Sequence, residues 1–306
     1  MKTSVVVTTY NGAAYLVPLL DSLRDQTREI DEVLIFDDRS TDGTEDILSS
    51  YIEANHLKNW KVSVNETNLG WEKNFSKALE AASGDVIFPC DQDDIWHKDK
   101  VGRMTAAFEE NGDILLLVSG FHEFSDHGSF PTRQHVVPTE GKSIVSKVAF
   151  RETYYQILRP GCTMALKKDI MPLFLQNWKP GSPHDAVLWT IASLLGRLYL
   201  YDDTFIEYRR HDANASKKID HEFRYKVDEV VRTKRINDWY LRSPYFDASK
   251  AKIVKTCSVW CVYRYRLLVR KQLHYWFLLF KYRHYYLTNK KYIGDLYYMM
   301  QGRKLR

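Results

Sequence analysis

The sequence predicts an α/β protein: a mostly parallel sheet flanked by helices, continued by a helical C-terminal region rich in basic and aromatic residues. Three observations carry this. Short apolar runs alternate with amphipathic segments over residues 1–120, at the spacing of strands and the helices that cross between them. That rhythm breaks at Gly120. Residues 251–306 then mix 13 Lys/Arg with 13 aromatics and the single acid Asp295.

In chain order, Ser4–Thr9 is strand-like, and its unbroken β-branched run Val5–Thr9 suits a strand buried on both faces. Ala14–Gln26 has helical periodicity, Glu32–Phe36 reads as a second strand, and a helix follows from Thr44 to Asn55. Trp60–Val64 and Trp71–Ala82 make the third strand–helix unit. Val86–Cys90 is the fourth strand, followed by a helix at Lys98–Glu109 and a strand at Ile114–Ser119. Alternation of this kind predicts a parallel sheet covered on both faces. No G-x-G-x-x-G follows the first strand, which disfavours a dinucleotide-binding domain.

Beyond Gly120, Phe121–Val137 reads as hairpin or loop and Ser143–Leu158 as helical or partly irregular. Gly161–Leu166 is strand-like, His184–Leu195 helical, and Leu198–Tyr201 and Phe205–Arg209 are two short strands around Asp202-Asp203. The stretch from Ser216 to Trp239 is helical and charged. The domains expected are 1–216 and a helical region 217–306.

Composition bounds the function. At 306 residues with 44% hydrophobic and 27% charged content, the chain has the make-up of a globular protein with a sizeable core. The net charge of +5 conceals an asymmetry: residues 251–306 carry +12, whereas 1–250 carry 31 basic and 38 acidic residues, or −7. A basic tail of that strength predicts an anionic partner. Its longest apolar stretch, Tyr275–Phe280, is far below the roughly 20 residues of a membrane span. Lys and Arg beside Trp and Tyr suit the surface of an anionic leaflet, with packing inside the protein as the competing use and nucleic acid not expected. Cys90, Cys162, Cys257 and Cys261 show no metal spacing, which predicts a reducing compartment without disulfides. The start of the chain is too short in apolar residues for a secretory signal, so the expected location is cytoplasmic, at the inner face of the plasma membrane.

The richest chemistry lies in Asp91-Gln92-Asp93-Asp94-Ile95-Trp96. Three carboxylates within four residues, at the carboxyl end of a strand, repel one another unless a cation sits among them, and hard oxygen ligands suit Mg²⁺ or Mn²⁺. Ligands of open α/β sheets gather at that edge. The loops after the other strands fall there too: Thr9-Tyr10-Asn11-Gly12, then Asp37-Asp38-Arg39-Ser40-Thr41-Asp42, and Asn68-Leu69-Gly70 leading into Lys73 and Asn74. His211 follows the strand-like Phe205–Arg209 in a polar loop, where a neutral imidazole can complete a divalent site.

Taken together, these segments over roughly residues 3–216 resemble the family 2 glycosyltransferases of GT-A fold. The Asp-Gln-Asp-Asp-Ile-Trp turn with the later Tyr208-Arg209-Arg210-His211-Asp212-Ala213-Asn214 is most similar to a bacterial rhamnosyltransferase-like branch. The resemblance implies that Thr9, Tyr10 and Asn11 hold the nucleobase and that Asp38 accepts from the pyrimidine imide. Asn68, Gly70, Lys73 and Asn74 would line the nucleotide pocket, Asp91 and Gln92 would contact ribose or sugar, and Arg209 or Arg210 the diphosphate. Asp93 and His211 would ligate the metal, and Asp185 would be the general base. His184, Gly161, Cys162 and Trp96 would wall the acceptor. For several of these a plainer role competes: helix capping for Asp42, Asp38 and Asp185, and buried packing for Trp96.

The implied activity is inverting transfer of a hexosyl group from dTDP-L-rhamnose or a UDP-hexose to a hydroxyl of a glycan or lipid-linked glycan, in bacterial cell-surface polysaccharide synthesis. UDP-glucose, UDP-galactose or UDP-N-acetylhexosamine transfer to a protein-bound glycan is the alternative, as is a catalytically silent nucleotide-sugar-binding module. A nucleotidyltransferase would carry an early Gly-rich phosphate loop, which the sequence lacks. Oligomeric state, including a homo-oligomer, stays open.

Overall fold

The computed structural model describes residues 1–126, 128–129, 134–211 and 223–301. They pack as two units, one from Met1–Ala149, Leu158–Leu188 and Gly196–His211, the other from Phe150–Ile157, Trp189–Leu195 and the described part of Asp212–Arg306. The expected domain boundary at 216/217 lies outside the described residues, as do Asp212, Ala213 and Asn214.

The first unit is built on an eleven-stranded sheet. Its strands are β1 (Thr3–Thr9), β2 (Glu32–Asp37), β3 (Trp60–Val64), β4 (Val86–Asp91), β5 (Ile95–Trp96), β6 (Leu116–Ser125), β7 (Gly128–Ser129), β8 (Thr139–Glu140), β9 (Val145–Val148), β10 (Met164–Lys167) and β11 (Leu198–Arg209). The order is β3-β2-β1-β4-β10-β6-β11-β9-β8, with β5 on β11 and β7 on β6. Helices α1 (Leu16–Arg24), α2 (Thr44–Ala54), α3 (Trp71–Ala81) and α4 (Lys100–Glu110) follow β1, β2, β3 and β5. Every residue of β1 is buried, as its β-branched run requires of a strand covered on both faces. Leu16, Leu19, Leu20 and Leu23 of α1 pack with Val5, Val7, Val33, Ile35 and Phe88 in one core.

The sheet is mostly parallel, as expected, and β10 lies antiparallel between β4 and β6. Residues 143–158 form β9 and then turns, not a helix. Val145 and Ser146 pair with Tyr201 and Leu200, so tertiary pairing overrides a weak local pattern. The two short strands around Asp202-Asp203 are one strand, β11, whose register against β6 shifts between Leu200 and Thr204.

The second unit is helical: α7 (Phe223–Tyr240), α8 (Ala251–Leu268), α9 (His274–Leu279) and α10 (Asn289–Gln301). Two further helices, α5 (Met171–Asn177) and α6 (His184–Leu195), come earlier in the chain. Many of the tail's aromatics are core residues here: Trp260, Tyr275, Tyr285, Tyr286 and Tyr292 are buried. Arg264 is buried among them and makes a two-pronged pair with Asp295, Nε to Oδ2 at 2.6 Å and a terminal nitrogen to Oδ1 at 2.9 Å. The Tyr286 hydroxyl donates to the same carboxylate at 2.6 Å. Leu273, Phe277, Phe280, Ile293, Tyr297 and Met300 remain exposed. No described helix is long and apolar enough to cross a membrane. All four cysteines are buried and unbridged.

Candidate active site

Strand register sets the site. Thr9 lies level with Asp37 of β2, Thr8 with Asp91 of β4, and Asp37 with Val64 of β3. The loops after four strands therefore open at one edge of the sheet, the side on which α/β folds collect ligands. Beyond Asp91 the chain turns through Gln92–Asp94 into β5, which pairs antiparallel with β11 through Trp96↔Ile206 and Ile95↔Glu207. That two-residue strand carries the acidic turn to the end of β11. Arg209 N donates to Asp94 Oδ1 at 3.2 Å, and Arg209 Nε to the Asp93 carbonyl at 3.0 Å. His211 Nε2 lies 2.7 Å from Asp93 Oδ2 across 118 residues of sequence. Tyr15 stacks on the His211 ring at 4.6 Å and fixes its plane.

The turn is crowded with negative charge. Burial, then the charges of Asp93 and Asp185, push the Asp91 carboxyl up to about 7. Asp94 is buried, and burial followed by Asp93 and Asp91 raises it well above the ordinary range. Among the described residues its Oδ2 has no hydrogen-bond partner. Asp91, Asp94 and Cys162 present ligand atoms within 4.8 Å of one another. Mutually repelling hard oxygens, one of them orphaned, with an imidazole at their rim fit a divalent cation. The buried positive charge already present is Lys100. Its Nζ donates to the Cys162 carbonyl at 2.6 Å and stands 3.4 Å from the centre of the Trp96 ring. Burial lowers the Lys100 amine to about 8 against the opposing pull of Cys90, Cys162, Asp94 and Asp91.

His184 and Asp185 stand at the start of α6. His184 is buried, stacks on Phe75 at 4.1 Å, and has neither ring nitrogen hydrogen-bonded among the described residues. Burial lowers its pKa, with Asp185 opposing, so the ring is neutral. Gly161 touches both: a Cβ there would sit 2.7 Å from His184 Nε2 and 3.4 Å from the Asp185 Cβ. Asp185, in the first turn of α6, accepts from the adjacent Ala186 N through Oδ1 at 2.7 Å. Gly161, His184 and Asp185 thus come together, and Asp185 is close enough to Asp91 to affect its charge. Trp96 does not join them. Contrary to the expectation of a sugar-facing ring, it is 3% exposed, because pairing with β11 turns it inward onto Phe88 and Lys100. The Cys162 side chain is likewise buried behind the turn, where burial raises its thiol.

On the nucleotide side the expected residues divide into accessible groups and braces. Tyr10 and Lys73 are exposed at the edge. Asn11 adopts a left-handed conformation at φ 48° and accepts from Thr41 N at 2.9 Å. Asn68 accepts from Gly70 N at 3.1 Å, and Gly70 itself has φ 83°. The others hold the walls. Asp38 is buried and accepts from Leu69 N at 2.7 Å, Gly70 N at 2.8 Å and Asn65 Nδ2 at 2.9 Å. Asn74 is buried between Asn65 and the Phe36 carbonyl. The Thr9 hydroxyl is spent on Asp37 at 2.7 Å. Gln92 clamps the first loop, accepting from Tyr10 N at 2.7 Å and donating to the Tyr10 carbonyl at 3.2 Å. Asp42, expected as a cap, accepts from Thr44 N at the start of α2. Both arginines have carboxylate partners, Arg209 with Asp126 and Arg210 with Glu123.

Sequence reasoning missed Lys100, Asp37 and Asn65. A lysine beside a helix start reads as solvated surface, and only burial reveals it as a counter-charge. Asp37 was visible as the end of β2, but its partner Ser40 is set by the loop.

Residues 4–171 match the family model described as glycosyl transferase family 2. The chain is 28% identical over 249 residues to the dTDP-rhamnosyl transferase RfbG of Shigella flexneri, an alignment covering 76% of this chain and 80% of RfbG. It is 41% identical over 122 residues to the poly(ribitol-phosphate) beta-N-acetylglucosaminyltransferase TarS of Staphylococcus aureus, over 38% of this chain but 21% of TarS. The crystal structure of S. aureus TarS 1-349 in complex with UDP superposes with a TM-score of 0.61 at 25% identity, covering 89% of this chain and 74% of that one. The mannosyltransferase PcManGT from Pyrobaculum calidifontis, solved with GDP-Man and Mn²⁺, shares the fold at 13% identity, with a TM-score of 0.55 over 98% of this chain and 84% of its own.

Proposed function

This chain belongs to glycosyl transferase family 2, with a GT-A fold and glycosyltransferase activity, and from that premise we propose an inverting, metal-assisted transfer from a pyrimidine nucleoside diphosphate sugar to a glycan or lipid-linked glycan hydroxyl. The observation that carries the reading is the meeting of Asp93 and His211 at 2.7 Å beside Asp91, at the loop edge of the sheet. Asp93 and His211 would hold a divalent cation, Mn²⁺ or Mg²⁺, which when bound supplies positive charge to the leaving diphosphate. Tyr10 and Asn11 would seat the nucleobase, with Asp38 holding the opposite wall through Leu69 and Gly70. Asp185 would take the proton of the attacking hydroxyl, and neutral His184 beside Gly161 would fix its position. The acceptor oxygen would bond to the anomeric carbon from one face while the bond to the diphosphate breaks on the other, so no covalent intermediate on the protein is required.

RfbG's name supports a dTDP-rhamnose donor, and the UDP complex of TarS supports a uridine one. Both are pyrimidine nucleotides. The exposed Leu273, Phe277 and Phe280 beside the exposed Arg270, Lys281 and Arg283 support a peripheral position on an anionic membrane, with cell-surface polysaccharide synthesis as the setting.

A thermal-shift screen of dTDP-L-rhamnose, UDP-glucose, UDP-galactose and UDP-N-acetylglucosamine, each with and without Mn²⁺ or Mg²⁺, tests the reading. One donor should stabilise the wild type only with metal, by about 2.7 kcal/mol at a hundred times its dissociation constant. Asp93→Ala should lose that dependence. Stabilisation by no nucleotide sugar, or an equal response from Asp93→Ala, would overturn it.

A further inference from the structure

The helical unit contains a cavity of about 890 Å³ that the transfer reaction does not use. It runs between α7 and α8. One face of α7 contributes Val231, Lys234, Arg235 and Asp238, with Arg242 just beyond, and α8 contributes Val262, Tyr265 and Arg266, followed by Arg270. These positions recur every three or four residues, so each helix offers one continuous stripe. The lining is divided in character. Val230 and Cys261 form a buried apolar floor, and Val231, Val262 and Tyr265 extend it toward solvent. Five cations surround one acid, Asp238, which is already paired with Lys234. Among the described residues neither Arg242 nor Arg270 has a carboxylate partner. Burial, then the neighbouring charge of Arg232, lowers the pKa of Arg235.

The volume lies in the range of small-molecule sites. A soluble anion would use the cations and leave the apolar floor wet, whereas a neutral hydrocarbon would leave the cations uncompensated. We propose that this cavity binds an anionic phospholipid, its phosphate held by Arg242 and Arg270 and its chain lying along Val230, Val231, Val262 and Tyr265. Guanidinium groups match phosphate oxygens in pairs, and a flexible chain fills an apolar trough without needing hydrogen bonds.

The test uses the full chain and dihexanoyl phosphatidic acid below its micelle concentration, followed by isothermal titration calorimetry. Dihexanoyl phosphatidylcholine matches its chains, and inorganic pyrophosphate supplies the anion without a chain. Phosphatidic acid should bind at least about tenfold more tightly than either, since each alternative lacks one half of the complementarity. The exposed-residue variants Arg242→Gln/Arg270→Gln and Val231→Asp should each weaken it by about tenfold or more, with melting profiles matching the wild type. Equal binding of pyrophosphate would make this a soluble-anion site and overturn the proposal. Unchanged binding in both variants would do the same. So would sedimentation as a dimer that Val231→Asp dissociates without any lipid binding, because the groove would then belong to a second copy. None of these readouts requires sugar transfer, so the reaction and the lipid site can fail separately.

Discussion

Replacing Lys100 with methionine tests the electrostatics beneath the acidic turn. The amine is fully buried, donates to the Cys162 carbonyl and faces the Trp96 ring. A lysine amine lowered by burial to about 8 from its ordinary value of 10.5 has its charged form disfavoured in the folded chain by about 3 kcal/mol. The sign follows from proton counting. Between those two values the unfolded chain keeps its proton while the folded chain has released it, so stability rises with pH across that window and is level below it. Methionine has no proton to release. At pH 7 the variant sheds a disfavoured charge but orphans a carbonyl, two effects of opposite sign and of about 1–3 kcal/mol each. The two proteins should therefore lie within about 2 kcal/mol of each other at pH 7. By pH 10.5 the difference should move about 3 kcal/mol in favour of the wild type. Urea unfolding followed by tryptophan fluorescence at pH 7, 8, 9 and 10 measures this, and the comparison is read above pH 8 because Lys100 also lowers the neighbouring Asp91 carboxyl. Parallel pH profiles would refute the placement of a buried titrating lysine at this site.

Three further outcomes follow from other contacts. Gly161→Ala places a methyl 2.7 Å from His184 Nε2, so His184, next to Asp185 in the chain, must shift; kcat should fall about tenfold or more, with a stability loss of about 1–3 kcal/mol, measured by steady-state kinetics and thermal unfolding. Asp185→Asn keeps the shape but cannot accept a proton, so kcat should fall about 10²–10⁴-fold with donor KM little changed in a coupled nucleotide-release assay. Arg264→Met leaves Asp295, 1% exposed, without its cation and should cost about 3–5 kcal/mol in chemical denaturation. Arg264→Met/Asp295→Leu should recover only part of that loss, because Glu229, the second carboxylate paired with Arg264, still lacks its cation.

Local pattern was enough for the strand–helix alternation, since runs such as Ser4–Thr9 can bury both faces only inside a covered sheet. It also determined which loops share an edge, because parallel strands all end on the same side. The family resemblance followed from the same loops; Asp91, Asp93 and His211 could be named because carboxylates and an imidazole at loop edges are chemically conspicuous, and Asp185 only through that resemblance.

How these groups meet depends on long-range pairing. β5 is two residues long, too short to show a periodicity, yet its pairing with β11 brings Asp93 to His211 and turns Trp96 inward. β10 lies antiparallel because of its partners β4 and β6, not its composition. Asp38, Asn74 and Gln92 carry the residue types of ligand contacts, and backbone amides from distant loops make them braces. The tail's composition could not separate Trp260 and Tyr285 in a core from Phe277 and Phe280 in solvent. Local pattern reports what a segment can bury; which partner buries it depends on contacts between residues far apart in the chain.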